Sequence, residues 1–116
     1  MRAVVQAGEF EIVVDEPEYS GGTNTGPPPT DLLLASIASC MTLAFAFVAK
    51  KRGIELSGLD VTAVGVYRGP GFERIALSVT ANVPRDVLEE LRPDAMRLCY
   101  VSNTFREQPD LTVTIG

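Results

Sequence analysis

Two cysteines are the residues of this chain best suited to covalent chemistry. Cys40 lies in a long apolar run, PPPTDLLLASIASCMTLAFAFVAKK, and Cys99 begins the stretch CYVSNTF near the end of the chain. The sequence contains no histidine and no tryptophan. A thiolate is a nucleophile that can be oxidised and can form a disulfide. If the protein is an enzyme, we therefore expect sulfur to be its reactive atom.

Composition and charge exclude several other classes of function. The 116 residues predict a single domain, and the 46% apolar content is typical of a folded globular protein. The net charge of −5 argues against nucleic-acid binding, which needs clustered Lys and Arg. A zinc site is not expected, because two cysteines without histidine supply only half of the usual four ligands.

The beginning of the chain, MRAVVQAGEFEIVVDE, bears on the compartment. It is alternating and acidic, and it lacks the basic start and apolar segment of a secretory signal. We therefore expect a cytoplasmic protein. In that compartment cysteines are more often reduced, catalytic or metal-binding than joined in a permanent structural bridge.

Hydrophobic periodicity and turn residues predict an α+β domain spanning residues 1–116. The predicted strands are Arg2–Ala7, Phe10–Val14, Leu59–Tyr67, Arg74–Val83 and Leu111–Ile115. The predicted helical segments are 30–52, 85–91 and 93–105, with Pro93 starting a new helix. Residues 17–29 are rich in Gly, Pro, Thr and Asn, so they predict a loop.

The longest predicted helix is also the most apolar segment. Leu32–Ala49 runs for 18 residues without a charge, which is near the lower limit for a membrane span. Ser36, Ser39 and Thr42 interrupt the run, so we interpret it as a buried central helix and expect no membrane insertion. A helix that is apolar nearly all round must be covered on every side. A second subunit could cover it, so the sequence favours a homodimer.

The neighbours of each cysteine leave its role open. On a helix, Ser36 and Ser39 lie near Cys40, and such small residues allow a second element to approach closely. Cys40 could equally be an inert core cysteine. Arg97 and Arg106 lie near Cys99 in the sequence and could lower a thiol pKa, or could simply be helix charges facing solvent.

Three segments of the chain resemble the OsmC/Ohr family of organic hydroperoxide reductases. The segment PPPTDLLLASIASCM is similar to the family's run into a cysteine-bearing helix, and LCYVSNTF to the stretch around its second cysteine. GGTNTGPPP resembles the loop before the central helix. The resemblance spans about residues 9 to 115.

The resemblance implies an OsmC-like α+β fold, with a long buried central helix wrapped by antiparallel sheet in an intertwined homodimer. It implies peroxiredoxin-type thiol chemistry in an oxidative stress response, with an active site at the subunit interface. Cys40 would attack an organic hydroperoxide and become a sulfenic acid, and Cys99 would condense with it to a disulfide. An external dithiol would reduce that disulfide, without any cofactor. An arginine and a glutamate assist in the family, and Arg2 is the candidate for the arginine.

Departures from the family pattern weaken part of this assignment. Thr30 stands where the family's assisting glutamate would be, and Asp31 follows it. Asp31 is the candidate to replace the glutamate, but on one straight helix it would lie about 13 Å along the axis from Cys40 and on the opposite side. An acid in the first helical turn also has a simpler explanation in the helix dipole. Tyr100 replaces the proline that usually follows the second cysteine.

Three functions remain open on the sequence alone. The first is a thiol-dependent peroxidase that uses Cys40 and Cys99. The second is a non-catalytic protein on the same scaffold that binds a small apolar ligand at the dimer interface. The third is an interaction module with two inert thiols.

Overall fold

The structure is a computed structural model that describes all 116 residues. It divides into two compact units, Met1–Ala35 and Ser36–Gly116. The strands are β1 (Arg2–Ala7), β2 (Phe10–Asp15), β3 (Asp60–Arg68) and β4 (Gly71–Thr80). The helices are α1 (Pro29–Lys51), α2 (Arg85–Leu98) and α3 (Tyr100–Arg106), with a short 3-10 turn at Glu18–Ser20. The predicted α+β class is confirmed.

The first unit begins with an antiparallel hairpin. Strands β1 and β2 pair without a register shift, from Arg2 opposite Asp15 to Ala7 opposite Phe10. Gly8 has a φ of 62°, and this left-handed conformation is accessible to glycine at no steric cost. The hairpin agrees with the two strands predicted from the alternating pattern.

A buried carboxylate organises the loop that follows this hairpin. Asp15 accepts hydrogen bonds from the backbone N–H groups of Glu16, Thr23 and Thr25 and from both threonine hydroxyls. A Cβ atom at Gly22 would lie 2.0 Å from the carbonyl oxygen of Glu16, so only glycine fits this turn. These bonds give residues 16–25 a defined shape, although the 3-10 turn Glu18–Ser20 is their only regular secondary structure.

The central helix α1 is buried on one face only within the single chain. Its buried residues are Ile37, Met41, Ala44, Phe45, Val48 and Ala49. The opposite face leaves Leu43 70% exposed and Phe47 56% exposed. By length and composition α1 could cross a membrane, but its buried face is the core of the second unit, so we interpret it as a core helix.

Strands β3 and β4 form a second antiparallel hairpin, which supplies one wall of that core. A bulge between Val66 and Tyr67 shifts their register. Strand β4 begins and ends three residues earlier than the predicted strand 74–83. It ends at Thr80, after which the N–H of Asn82 donates instead to the carbonyl of Ser57, at 2.8 Å. Val61, Leu77 and Val79 pack against the core from this hairpin.

The prediction that Pro93 starts a new helix is wrong. Helix α2 continues through Pro93, and the chain breaks at Cys99 before α3 begins. Pro93 costs one backbone hydrogen bond, but it lies on the exposed face. Leu91 and Ala95 on the opposite face are fully buried, and this apolar face keeps the helix continuous.

The predicted final strand Leu111–Ile115 is also wrong for this chain. Residues 107–116 form no helix or strand. Leu111, Val113 and Ile115 are 89%, 83% and 92% exposed. Their alternation is typical of a strand, but a strand forms only against a partner edge, and no strand of this chain pairs with them.

We predict that Asp15→Asn will weaken the fold at neutral pH and flatten its dependence on acid. Hydrogen bonds from Thr23 and Thr25 hold the pKa of Asp15 far below its ordinary value of 3.8. The ionised carboxylate therefore stabilises the fold above about pH 4, and that stability is lost as the pH falls further. Urea unfolding at a series of pH values between 7 and 2.5 measures the free energy of unfolding of both proteins. Parallel curves of free energy against pH for the two proteins would contradict the prediction.

Candidate functional site

Cys40 lies on α1 at the edge of its buried face. It is partly buried and packs against the core cluster of the second unit. The neighbouring hydroxyls are satisfied within the helix: Ser39 Oγ donates to the carbonyl of Ser36 and Thr42 Oγ1 to that of Ala38. Such bonds let polar side chains occupy a helix without a partner elsewhere. Cys40 therefore borders the core while part of its surface stays accessible.

Cys99 lies at the end of a buried row on α2. Leu91, Ala95 and Cys99 follow at intervals of four residues, and each is 0% exposed. Residues four apart share a face of a helix. The apolar face by which α2 packs on the core therefore also places the thiol of Cys99 in that core.

Both cysteines adjoin one apolar cluster. Cys99 belongs to the core formed with Met41, Phe45 and Val48 of α1, and Cys40 packs against that same core. Both are free thiols. The arrangement pairs a partly accessible thiol with a fully buried one, about 60 residues apart in the chain.

The arginines near Cys99 in the sequence are engaged elsewhere. Arg97 forms an ion pair with Asp94, and its side chain is largely exposed. Asp94 also pairs with Arg52, and this hydrogen bond, with the charge of Arg97, holds the pKa of Asp94 below its ordinary value. Arg106 donates to the carbonyl of Met96 and to the side chain of Asn103. Arg97 thus pairs within α2, Arg52 joins the chain just after α1 to α2, and Arg106 joins α3 to α2.

The two candidate assisting residues belong to the first unit. Arg2 begins β1, where it is exposed and lies opposite Asp15 in the hairpin. Asp31 lies in the first turn of α1 and is exposed. Their roles toward Cys40 stay predictions. Tyr100 begins α3 and is 79% exposed.

An open groove of about 750 Å³ lies beside the core in the second unit. Met41 and Phe45 of α1, Leu77 and Val79 of β4, and Leu88 of α2 give it an apolar floor. Charged residues of α2 line it as well: Arg85, Glu89 and Arg92. Its volume is within the range of small-molecule sites.

Sequence reasoning missed two polar residues that shape the structure. Asn103 bridges α3 to the end of α2, and Asp15 organises the loop before α1. An acid at a strand end followed by Thr23 and Thr25 is a usable signal for such a loop. For Asn103 the only signal in the sequence is the group of polar residues that follows Cys99.

A family comparison identifies the scaffold. The model of the OsmC-like protein family matches residues 22–114. The chain belongs to this family. The matched range includes both Cys40 and Cys99, and it confirms the resemblance drawn from the sequence.

Individual relatives agree with this membership. An uncharacterized protein of Haloferax volcanii is 28% identical over 115 residues, covering 95% of this chain and 83% of that protein. The crystal structure of an organic hydroperoxide resistance protein OsmC from Legionella pneumophila is similar, with a TM-score of 0.69, 22% identity, and coverage of 95% and 90% of the two chains. An organic hydroperoxide resistance protein from Elizabethkingia anophelis, with thiocyanate bound, gives a TM-score of 0.63 and 27% identity, covering 87% and 76%. Both of these solved structures are of organic hydroperoxide resistance proteins, and the likeness shows that this chain shares their fold.

We predict that an alkylating reagent will modify Cys40 before Cys99 in the folded protein. Cys99 is fully buried and must wait for a local opening of the chain, so we expect its reaction to be roughly tenfold slower or more. Timed iodoacetamide labelling followed by peptide mass spectrometry measures both rates. Cys40→Ser should remove the fast phase and leave the slow one. Equal labelling rates at Cys40 and Cys99 would contradict the finding that Cys99 is buried and Cys40 is partly accessible.

Proposed function

We propose that this protein reduces organic hydroperoxides to alcohols with its two thiols. Cys40 attacks a peroxide oxygen as the thiolate, the O–O bond breaks, and the alcohol leaves with a proton. Cys40 is then a sulfenic acid. Cys99 attacks its sulfur, water leaves, and the two residues are joined as a disulfide.

The observation that supports this most is the difference in exposure between two thiols of one cluster. The partly accessible Cys40 can meet a peroxide that comes from solvent. Cys99 is 0% exposed, and its surroundings are the apolar cluster against which Cys40 packs. This distribution suits an attacking thiol and a resolving thiol, in the order that the family resemblance implies.

The cycle closes with an external dithiol. One thiolate of the reductant attacks the disulfide, and its second thiol displaces the mixed disulfide, so both cysteines return to thiols. We propose that attack occurs at the sulfur of Cys40, since Cys99 is buried. No metal or organic cofactor takes part in this scheme, and we assign the reaction to the cytoplasm.

Arg2 and Asp31 are our candidates for the groups that assist Cys40. An arginine near a thiol stabilises the thiolate. Arg2 is the only arginine before α1, and Asp31 stands one position after Thr30, where the family has its glutamate. Asp31 would have to act through an arginine or from a second subunit, because it lies in the first turn of α1, nine residues before Cys40.

We predict that cumene hydroperoxide will remove two thiols per reduced chain. The first is oxidised at Cys40 and the second is consumed when Cys99 closes the disulfide. Titration of free thiols with a chromogenic disulfide measures the loss, and non-reducing peptide mapping locates the bond. Cys99→Ser should lose one thiol and accumulate a sulfenic acid that dimedone traps.

The matched control is Cys40→Ser, which retains the buried thiol. It should leave the peroxide concentration unchanged over the same period. Consumption of peroxide by this variant would contradict the role of Cys40, and retention of both thiols in the unaltered chain would refute the peroxidase function.

The groove beside α1 favours a second candidate function, the binding of a small apolar ligand. Its floor is apolar, and its volume of about 750 Å³ suits a compact molecule. A binding protein of this kind would keep both thiols in the peroxide titration and would be stabilised against heat by its ligand. The same experiment thus separates the two functions.

We also propose that the protein is a homodimer. The exposed Leu43 and Phe47 form an apolar face on α1, and exposed apolar faces of this kind usually mark an interface. Residues 111–115 add a further apolar segment that lacks a partner strand in the chain. A second copy would cover surfaces that a monomer leaves in water.

We predict that Phe47→Asp will convert the dimer into a monomer. Burying an unpaired carboxylate costs several kcal/mol, roughly the scale of a whole weak interface. Sedimentation velocity at micromolar concentration measures the mass. Tyr19→Asp is the control, because Tyr19 is 91% exposed in a different element. A monomeric unaltered protein, or a dimeric Phe47→Asp variant, would disprove the proposal.

A further inference from the structure

The junction between α2 and α3 is closed by side chains that reach from one helix to the other. Cys99 is the junction residue, with a φ of −83° and a ψ of 92°, and this extended conformation ends α2. The last carbonyls of any helix lack partners within it. Here Asn103 Nδ2 donates to the carbonyl of Arg97 at 3.0 Å, and Arg106 Nη2 donates to that of Met96 at 3.2 Å.

The two bridging side chains also hold each other. Arg106 donates a hydrogen bond to Asn103 Oδ1, so the amide of Asn103 is fixed at both ends. Within α3, the backbone N–H of Asn103 and the hydroxyl of Ser102 donate to the carbonyl of Cys99, each at 3.0 Å. Asn103 is thus bonded to the residues on both sides of the junction.

This bonding has a consequence for the thiol. Cys99 is 0% exposed at the point where α2 ends and α3 begins. The apolar row of α2 ends at Cys99 and cannot by itself fix the chain that follows. The cross-helix bonds of Asn103 and Arg106 are the polar contacts that close the junction.

We propose that Asn103 is a positioning residue that keeps Cys99 buried in the cluster of Cys40 until the resolving step. The chemical part of this inference rests on the proposed peroxidase function. In that step the Cys99 sulfur bonds to the sulfenic sulfur of Cys40, the S–O bond breaks, and hydroxide leaves with the thiol proton as water. A closed junction directs Cys99 to this reaction and keeps peroxide from oxidising it first.

The test compares Asn103→Ala with Thr104→Ala, each in a Cys40→Ser background. Thr104 is the next residue of α3, and its hydroxyl bonds only to the carbonyl of Tyr100 within the same helix. Alanine favours helix at both positions, so α3 itself is retained. We expect Asn103→Ala to raise the rate of iodoacetamide labelling at Cys99 about tenfold, because it removes both the bond to Arg97 and the bond from Arg106. Thr104→Ala should stay within about twofold of its parent.

A dependence on urea separates opening of the junction from general destabilisation. Labelling through a local opening changes little with low urea, whereas labelling through global unfolding rises steeply. We expect the labelling rate of Cys99 in Asn103→Ala to change little with low urea. A steep one, or equal acceleration in the Thr104→Ala variant, would overturn the proposal. If Asn103→Ala does not fold, Asn103→Asp serves instead, since it keeps an acceptor for Arg106 and loses the donor to Arg97.

A second readout uses the chain with both cysteines. After one equivalent of cumene hydroperoxide, Asn103→Ala should lose the Cys40 thiol at the unaltered rate but form disulfide more slowly than the unaltered chain, with more sulfenic acid trapped by dimedone. Unchanged disulfide formation would overturn the positioning role. If peroxide fails to oxidise Cys40 in any variant, the peroxidase function is refuted, while the labelling rates of Cys99 still decide whether Asn103 closes the junction.

Discussion

The burial of Cys99 at the end of α2 is the constraint on which the arrangement of this site depends. A sulfur with no exposed surface can react only with what reaches it inside the cluster. Cys40 packs against that cluster from α1, so the two helices must stay docked for the thiols to share one environment. The chemistry of the site is therefore a consequence of how α1 packs on α2.

Apolar packing holds the helices together more strongly than their ion pairs do. Phe45 and Leu91 are among the largest fully buried side chains, and each contributes about 1.5–3 kcal/mol on burial. The ion pair between Arg52 and Asp94 also joins α1 to α2, but it is partly exposed, and such pairs typically contribute less than about 1 kcal/mol. It orients the helix ends, while the shared core determines where the thiols lie.

Local patterns predicted the elements, and the errors arose where a distant contact decides the outcome. The alternation of β2 and the apolar run of α1 were sufficient to predict these two elements. Pro93 suggested a helix start, because the local rule for proline ignores the buried face that keeps α2 continuous. The prediction of the site had the same limit. Cys99 could be found by residue type, but its place in a row with Leu91 and Ala95 required knowing that the helix does not break.

The C-terminal segment shows the same limit in a more informative form. Leu111–Ile115 has the alternation of a strand, yet pairing is a property of two segments, and this chain supplies only one. The outer face of α1 is comparable: it exposes Leu43 and Phe47, and the chain covers only the other face of the helix. Both features are explained at once if a second copy supplies the missing surfaces. The sequence of one chain then specifies elements whose final contacts lie in another, and Asp31 would act on Cys40 either through an arginine or from that second copy.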